Sequence, residues 1–375
     1  MADLFSSFQV KDVTLKNRIA CPPLGQYSAN DGVITDWHMV NLGAPAVGGA
    51  GLVIAENTAV SPVGRVSPGC AGLWNDTQAE EWARVARFVK SQGAVVGIQL
   101  GHSGRKGCAN PPWEGDDHLP DSDPRMWQTI AASAVPYGGN LPRVPLEMSH
   151  ADIKRVQGEF VSAAQRALTA GFEWLEVHFA HGYLAQSFFS PLGNFRTDEY
   201  GGGFEGRSRF LIETFKAVRA VWPERLPLTA RLGITDFHPD GLQFEDSLEL
   251  IRRLKAEGLD LIDISLGFNS PDVSRIPWAP CFMVPYAERI RREIDIPVAV
   301  GWMIEHPRDA DNIIRQSQAD IIMIGRQMLS DPRWAYHAAQ ILGLEEPWRV
   351  LPNQYGAWLK RPILTACLEQ FKDAE

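Results

Sequence analysis

Cysteine is scarce and scattered in this chain. The five residues, Cys21, Cys70, Cys108, Cys281 and Cys367, are odd in number and far apart, with no C-x-x-C pair. That spacing argues against a disulfide framework and against a cysteine-held zinc or iron–sulfur centre, and it makes a reducing cytoplasm the expected location. No apolar run reaches membrane-span length, and Met1–Arg18 lacks the apolar segment of a secretion signal. A basic excess is missing too. With 36 Lys and Arg against 45 Asp and Glu, the net charge is −9, which favours neither nucleic acid nor an anionic membrane as partner. No G-x-G-x-x-G turn lies in a strand–helix setting, so no dinucleotide-binding unit can be read. Low-complexity linkers are absent, which leaves residues 1–375 as one domain.

Tryptophan, in contrast, is abundant at 12 residues. An indole N–H needs a partner when buried, so part of this set is expected to line a pocket or an interface.

Short apolar runs alternate with amphipathic ones. The strand candidates are Ile19–Pro22, Leu52–Ala55, Val95–Leu100, Trp174–His178, Leu228–Leu232, Leu261–Ser265, Val298–Val300 and Ile321–Ile324. The helix candidates are Asp36–Val47, Ala79–Gln92, His150–Ala170, Ser208–Val221, Phe244–Glu257, Pro285–Glu293, Pro307–Gln316 and Pro332–Leu342. The third helix carries Ile153, Val156, Phe160 and Ala164 at helical spacing, and Ser149 with Asp152 begins it as a capping box. Gly93, Gly171 and Gly258 fit left-handed positions just past helix ends. Eight such repeats predict an α/β fold, a closed (β/α)8 TIM barrel. Two connections exceed ordinary turns. Residues 101–148 form a capping insertion after the third strand, and Phe179–Arg207 follow the fourth. Both would lie at the C-terminal mouth, where barrel active sites form. A C-terminal arm, 343–375, follows the last helix and carries Trp348, Tyr355 and Trp358.

The chemistry gathers at the strand ends. His178-Phe179-Ala180-His181-Gly182-Tyr183 closes the fourth strand. Two neutral imidazoles can donate to one oxygen, and the phenol can give a proton to a neighbouring carbon. The first strand leads into Pro22-Pro23-Leu24-Gly25-Gln26-Tyr27 and the second into Glu56-Asn57-Thr58. The third ends with Gln99, and the fifth carries Arg231. The seventh ends in Gly301-Trp302 and the eighth in Gly325-Arg326, where backbone and guanidinium can meet a phosphate. Read on its own, Arg231 could equally be a salt-bridge partner at the mouth.

Asp12–Arg18, Gln99–Lys106, His178–Tyr183, Asn194–Gly202 and Ile324-Gly325-Arg326, in this order and spacing from Leu4 to Trp358, resemble the old yellow enzyme family. Pro112–His118, His178–Phe189 and Trp334-Ala335-Tyr336 point to its bacterial, thermophilic-like branch that includes xenobiotic reductase A. The resemblance implies an FMN-dependent ene-reductase, an NADPH dehydrogenase that takes NADPH or NADH. Its partner would be a small electron-poor alkene: an enone, a maleimide or a nitro compound. Turnover would be ping-pong, with hydride passing through FMN N5. Pro23, Leu24, Gly25, Asn57, Gln99, Arg231, Gly301, Trp302, Gly325 and Arg326 would bind the cofactor. Tyr27, His178, His181, Tyr183, Trp302 and Trp358 would bind substrate. Tyr183 would be the proton donor and His178 and His181 the carbonyl donors, with no metal. A homodimer, or an oligomer built on it, would bring Trp358 to a neighbouring site.

The chain departs from the family at Gly25, where relatives carry cysteine, and the exchange is expected to open space. Asn57 replaces a smaller residue, Met303-Ile304-Glu305 replaces a glycine-rich stretch, and Gly206 stands where Asn is usual. Three rivals stay open on the residues alone: a metal-dependent hydrolase using the two histidines, an iron–sulfur relative, and a non-catalytic binding barrel.

Overall fold

The computed structural model describes residues 2–361; Cys367 and the arm beyond residue 361 lie outside them. Eight parallel strands close into a barrel: β1 Ile19–Cys21, β2 Leu52–Ala59, β3 Val95–Gly101, β4 Trp174–Phe179, β5 Leu228–Gly233, β6 Leu261–Ser265, β7 Val298–Val300 and β8 Ile321–Met323. Each pairs with the next, and Ile322 opposite Ile19 closes the ring. All eight are buried along almost their whole length, because helices cover the outside while side chains fill the inside. This is why they read as apolar runs without alternation.

The outer ring is α1 Asp36–Val47, α2 Asp76–Ser91, α3 His150–Thr169, α4 Phe204–Arg219, α5 Phe244–Ala256, α6 Val284–Ile294, α7 Pro307–Arg315 and α8 Trp334–Ile341. The Ser149 hydroxyl accepts the Asp152 N–H at 3.2 Å, and the Asp152 carboxylate accepts the Ser149 N–H at 3.1 Å. These two bonds complete the expected capping box of α3. Gly93, Gly171 and Gly258 take φ of 74°, 89° and 94°, the left-handed geometry that ends a helix and aims the chain at the next strand.

Two small sheets were absent from the sequence reading. An antiparallel pair, Phe8–Val10 with Val13–Leu15, precedes the barrel, and Asp12 N–H donates to Arg225 O at 3.0 Å. Ile130–Ala131 pairs with Leu146–Glu147 inside the insertion. Short helices also stand at the mouth: Leu184–Phe189 follows β4 and Arg326–Ser330 follows β8. No described helix is long and apolar enough to cross a membrane.

Candidate active site

Three hollows line up across the C-terminal mouth. One of about 390 Å³ runs from Pro22–Leu24 past Arg231 and Gly301–Glu305 to Gly325-Arg326. A tighter one of about 80 Å³ adjoins it, sharing Pro23 and Arg231 and adding Gly25, Asn57, Gln99, His178, His181 and Tyr183. The outermost, about 510 Å³, shares Tyr27 and Tyr183 and opens between Lys106, Asp116, Tyr137 and Asn140. Of the residues expected at the site, all but Trp358 line one of the two inner hollows.

The central hollow holds the hydrogen-bonding set. The His178 and His181 rings lie 4.9 Å apart and nearly perpendicular, and the Tyr183 ring lies 5.1 Å from His178. His178 Nδ1 accepts the Ala180 N–H at 3.3 Å, so its proton sits on Nε2. His181 Nε2 meets Ser265 Oγ at 2.6 Å, and that oxygen also accepts the Trp302 indole N–H at 3.0 Å. An indole can only donate. The serine proton is free to go to His181 Nε2, an arrangement that leaves a proton on Nδ1. Burial, reinforced by Arg231 and Lys106, holds both imidazoles well below their ordinary pKa. They are neutral donors at pH 7. Burial also raises the Tyr183 phenol, which stays protonated.

Four contributors escaped the sequence reading. Ser265 orients His181 and Trp302. Asp263, two residues earlier on β6, lies 3.2 Å from Arg231 Nε. Glu176 on β4 accepts the Gln99 amide N–H at 2.8 Å. Lys106 Nζ donates to His181 O at 3.0 Å and lies over the Tyr137 and Tyr183 rings, 4.4 and 5.4 Å from their centres. Burial pushes its pKa down to about 8. The signal for the first three was present in the sequence: a polar residue inside a strand whose two faces are both covered has to be explained.

Two buried arginines fasten the insertion over the mouth. Arg105 donates to the carbonyls of Pro136, Leu192 and Asn269 at 3.3, 3.3 and 2.8 Å. Arg196 donates to Ala132 O and Met148 O at 2.9 and 2.7 Å, and pairs with Asp198. The Asn194–Gly202 segment is thus a clamp, not a source of chemistry. The mouth also carries backbone strain. Tyr27, His181, Phe268, Trp302 and Met303 take φ of 49°, 62°, 48°, 67° and 55°, a region that costs non-glycine residues roughly 1–2 kcal/mol each. Trp302 and Met303 hold it in succession, at the place where the family's glycine-rich stretch would be.

The departures resolve unevenly. Gly25 does not leave a void, contrary to expectation. A Cβ there would stand 3.3 Å from Tyr27 Cζ and 3.4 Å from its hydroxyl, so the Tyr27 ring has taken the space. Gly25→Cys is expected to push Tyr27 aside by a few tenths of an ångström and change the enantiomer ratio from a bulky enone. An unchanged product ratio on a chiral column would show that this wall has no steering role. Asn57 leans over Gly101, whose Cβ would meet Asn57 Oδ1 at 2.1 Å, and that oxygen is buried without a partner. Gly206 is required by close approach, since a Cβ would lie 1.9 Å from Gly201 O. Trp358, expected at a neighbouring site, stands away from the mouth of its own barrel. It lies on the short helix Asn353–Leu359, is 59% exposed and does not line the hollows at the mouth.

The metal reading of the histidines does not fit this geometry. Among the described residues, the three-residue group with metal-ligand spacing is His150, Asp198 and Glu199, and neither His178 nor His181 joins a third ligand. The two inner hollows do suit FMN. They form a continuous slot between apolar Pro23, Leu24 and Trp302. The Asn57 carbonyl oxygen is buried without a hydrogen-bond partner, Arg231 lines both hollows, and Gly325-Arg326 stands at the far end. A Cβ on Gly325 would meet only the Pro22 and Leu24 side chains, at 3.5 and 3.7 Å, so this end of the slot has room for a phosphate.

Comparison with known proteins gives the family. Residues 3–345 match the NADH:flavin oxidoreductase / NADH oxidase family. An NADPH dehydrogenase of Geobacillus thermodenitrificans (strain NG80-2) is 40% identical over 91% of this chain and 95% of its own. One of Bacillus velezensis (strain DSM 23117 / BGSC 10A6 / LMG 26770 / FZB42) is 40% identical over 95% and 99%. Morphinone reductase in complex with tetrahydroNAD superposes with a TM-score of 0.76 at 25% identity, covering 92% of each chain. With the barrel, the slot and these relatives together, the chain belongs to the NADH:flavin oxidoreductase / NADH oxidase family, as an FMN-dependent oxidoreductase of old yellow enzyme type.

Proposed function

We propose that the protein is an ene-reductase, oxidising NADPH or NADH and reducing the activated C=C bond of a small electron-poor alkene such as an enone, a maleimide or a nitroalkene. The observation that carries this reading is the convergence of two neutral imidazole donors and a protonated phenol on one hollow, beside a slot that suits FMN. FMN, when bound, supplies the two-electron carrier between nicotinamide and alkene. Pro23, Leu24, Gly25, Asn57, Gln99, Arg231, Gly301 and Trp302 would hold its ring system, and Gly325 and Arg326 its phosphate. His178 Nε2–H and His181 Nδ1–H donate to the substrate carbonyl oxygen and stabilise the charge that gathers there. Tyr183 gives its proton to the α-carbon on the facing side. Tyr27 and Trp302 exclude water and orient the alkene. With one central hollow for nicotinamide and alkene, turnover is ping-pong.

Purified protein should be yellow, bleach on anaerobic addition of NADPH and regain its colour with 2-cyclohexenone. A flavin that NADPH reduces but no enone or maleimide reoxidises would overturn the ene-reductase reading.

The same proposal places the enzyme in the cytoplasm, which four unpaired cysteines among the described residues support, and in the xenobiotic reductase A branch, which the Pro112–His118 and His178–Phe189 stretches support. It also makes the enzyme a homodimer. Trp37, Val40, Phe88, Tyr355 and Trp358 are exposed apolar side chains, and Val40, Phe88 and Tyr355 line one surface hollow of about 370 Å³. Aromatics are enriched in interface cores. In that arrangement Trp358 belongs to the neighbouring pocket. A sedimenting monomer at assay concentration would remove it.

A further inference from the structure

Beneath the mouth lies a charge cluster that the proposed chemistry does not use. Asp263 faces Arg231 across β6 and β5, and Arg231 in turn registers with His178 on β4. Glu176 lies two residues before His178, registered with Gln99 on β3 and Thr229 on β5. Glu176 and Asp263 are 0% and 1% exposed. One guanidinium therefore serves two fully buried carboxyl groups. Glu176 Oε2 is buried without a hydrogen-bond partner, and Asp263 Oδ2 has the Arg231 Nε as its ion-pair partner. Two buried carboxylates against one cation would leave a net buried negative charge, which is costly.

The other neighbours do not supply the missing cation. Gln99 and Thr229 are neutral, His178 is held neutral, and Ala299 faces Asp263 from β7. Lys106 stands further out, against His181 O. The two carboxyls are not equivalent. Asp263 touches Arg231 at 3.2 Å, whereas Glu176 touches only the Gln99 amide. Burial raises both groups, Asp263 further raises Glu176, and Arg231 lowers both.

We propose that Glu176 stands as a neutral acid and Asp263 as the carboxylate partner of Arg231, and that this pair sets how much of the Arg231 charge reaches bound flavin. Both are positioning residues acting through Arg231. The proposal rests on the reading that Arg231 meets the flavin. A cation beside the flavin favours the reduced, more negative form, so the Asp263 charge holds the reduction potential down. Glu176 adds nothing at neutral pH and lowers the potential further once it ionises in the alkaline range.

The test is a double-mutant cycle on the FMN-loaded protein. Glu176→Gln should change the two-electron reduction equilibrium by less than twofold at pH 7. In that background, Asp263→Asn should shift it at least tenfold toward reduced flavin, about 30 mV for a two-electron couple. On Asp263→Asn alone the shift should be smaller, because Glu176 then ionises and replaces the lost charge. At alkaline pH the parent potential should fall below that of Glu176→Gln. Infrared difference spectra of parent minus Glu176→Gln should show a protonated-carboxyl stretch at pH 7, a readout that does not require the double variant to fold. A missing band, or a Glu176→Gln shift as large as that of the pair, would overturn the assignment. Arg231→Gln separates the two readings. If it leaves FMN affinity and potential untouched while the carboxyl band persists, the flavin does not meet Arg231 and the failure belongs to the site reading.

Discussion

Replacing His178 with alanine should slow reoxidation of the reduced enzyme by an enone about 10²–10³-fold, the cost typical of losing one donor from an oxyanion site. The size of the effect follows from the hollow. It is walled by Pro23, Tyr27, Val66 and Cys70, so little water can replace the lost N–H. His181→Ala should cost a comparable amount, and the pair less than the sum, since both donate to one oxygen. FMN content should be unchanged in all three, because neither ring is needed to close the slot. Stopped-flow reoxidation and phenol titration make the measurement. Flavin loss that tracks the rate loss would make the histidines structural. A pH profile adds a sharper check. Burial depresses both imidazoles, so their donor form persists as pH falls through the ordinary histidine value of about 6.5. The enone rate should show no inflection there, and one near that value would mean that a histidine titrates freely.

Tyr183→Phe should reduce the enone rate about 10²–10⁴-fold, the range for losing a positioned general acid, while reduction by NADPH stays within about twofold if the ring alone shapes the pocket. The phenyl ring keeps the edge-on contact with His178, so a large loss would be chemical and not steric. The phenol pKa is raised by burial first, then by Cys70, Asp116 and Tyr137. It therefore remains a proton source at every working pH and depends on enolate character in its acceptor. Unchanged enone turnover would move the proton to solvent.

Much of the barrel could be read because every wall strand is buried on both faces. Leu261–Ser265 and Val298–Val300 appear with the expected ends. The N-terminal hairpin could not be read, since three-residue strands are too short for a period and their turn rests on Lys11 at φ 53°. Helix α4 begins at Phe204, four residues before the expected Ser208, because Gly203 takes the extended geometry of an N-cap without looking like one. At the site, residues just after strand ends were legible because the barrel directs them all to one mouth. Glu176, Asp263 and Ser265 were not, because they belong to the buried strands themselves, where period and hydrophobicity mark only wall. The fate of Gly25 was also hidden, since what fills an absent side chain depends on the Tyr27 rotamer, which sequence does not give.

The strained residues at the mouth bear on how this enzyme can be improved. Tyr27, His181, Phe268, Trp302 and Met303 all hold backbone shapes that glycine or asparagine would adopt with less strain. A screen scored only on melting temperature would therefore be drawn to these positions, and each gain would strip out a side chain that lines the pocket or packs beside His181. Stabilising libraries for this scaffold should freeze those five sites and search the helical ring, where heat tolerance and turnover are not in competition.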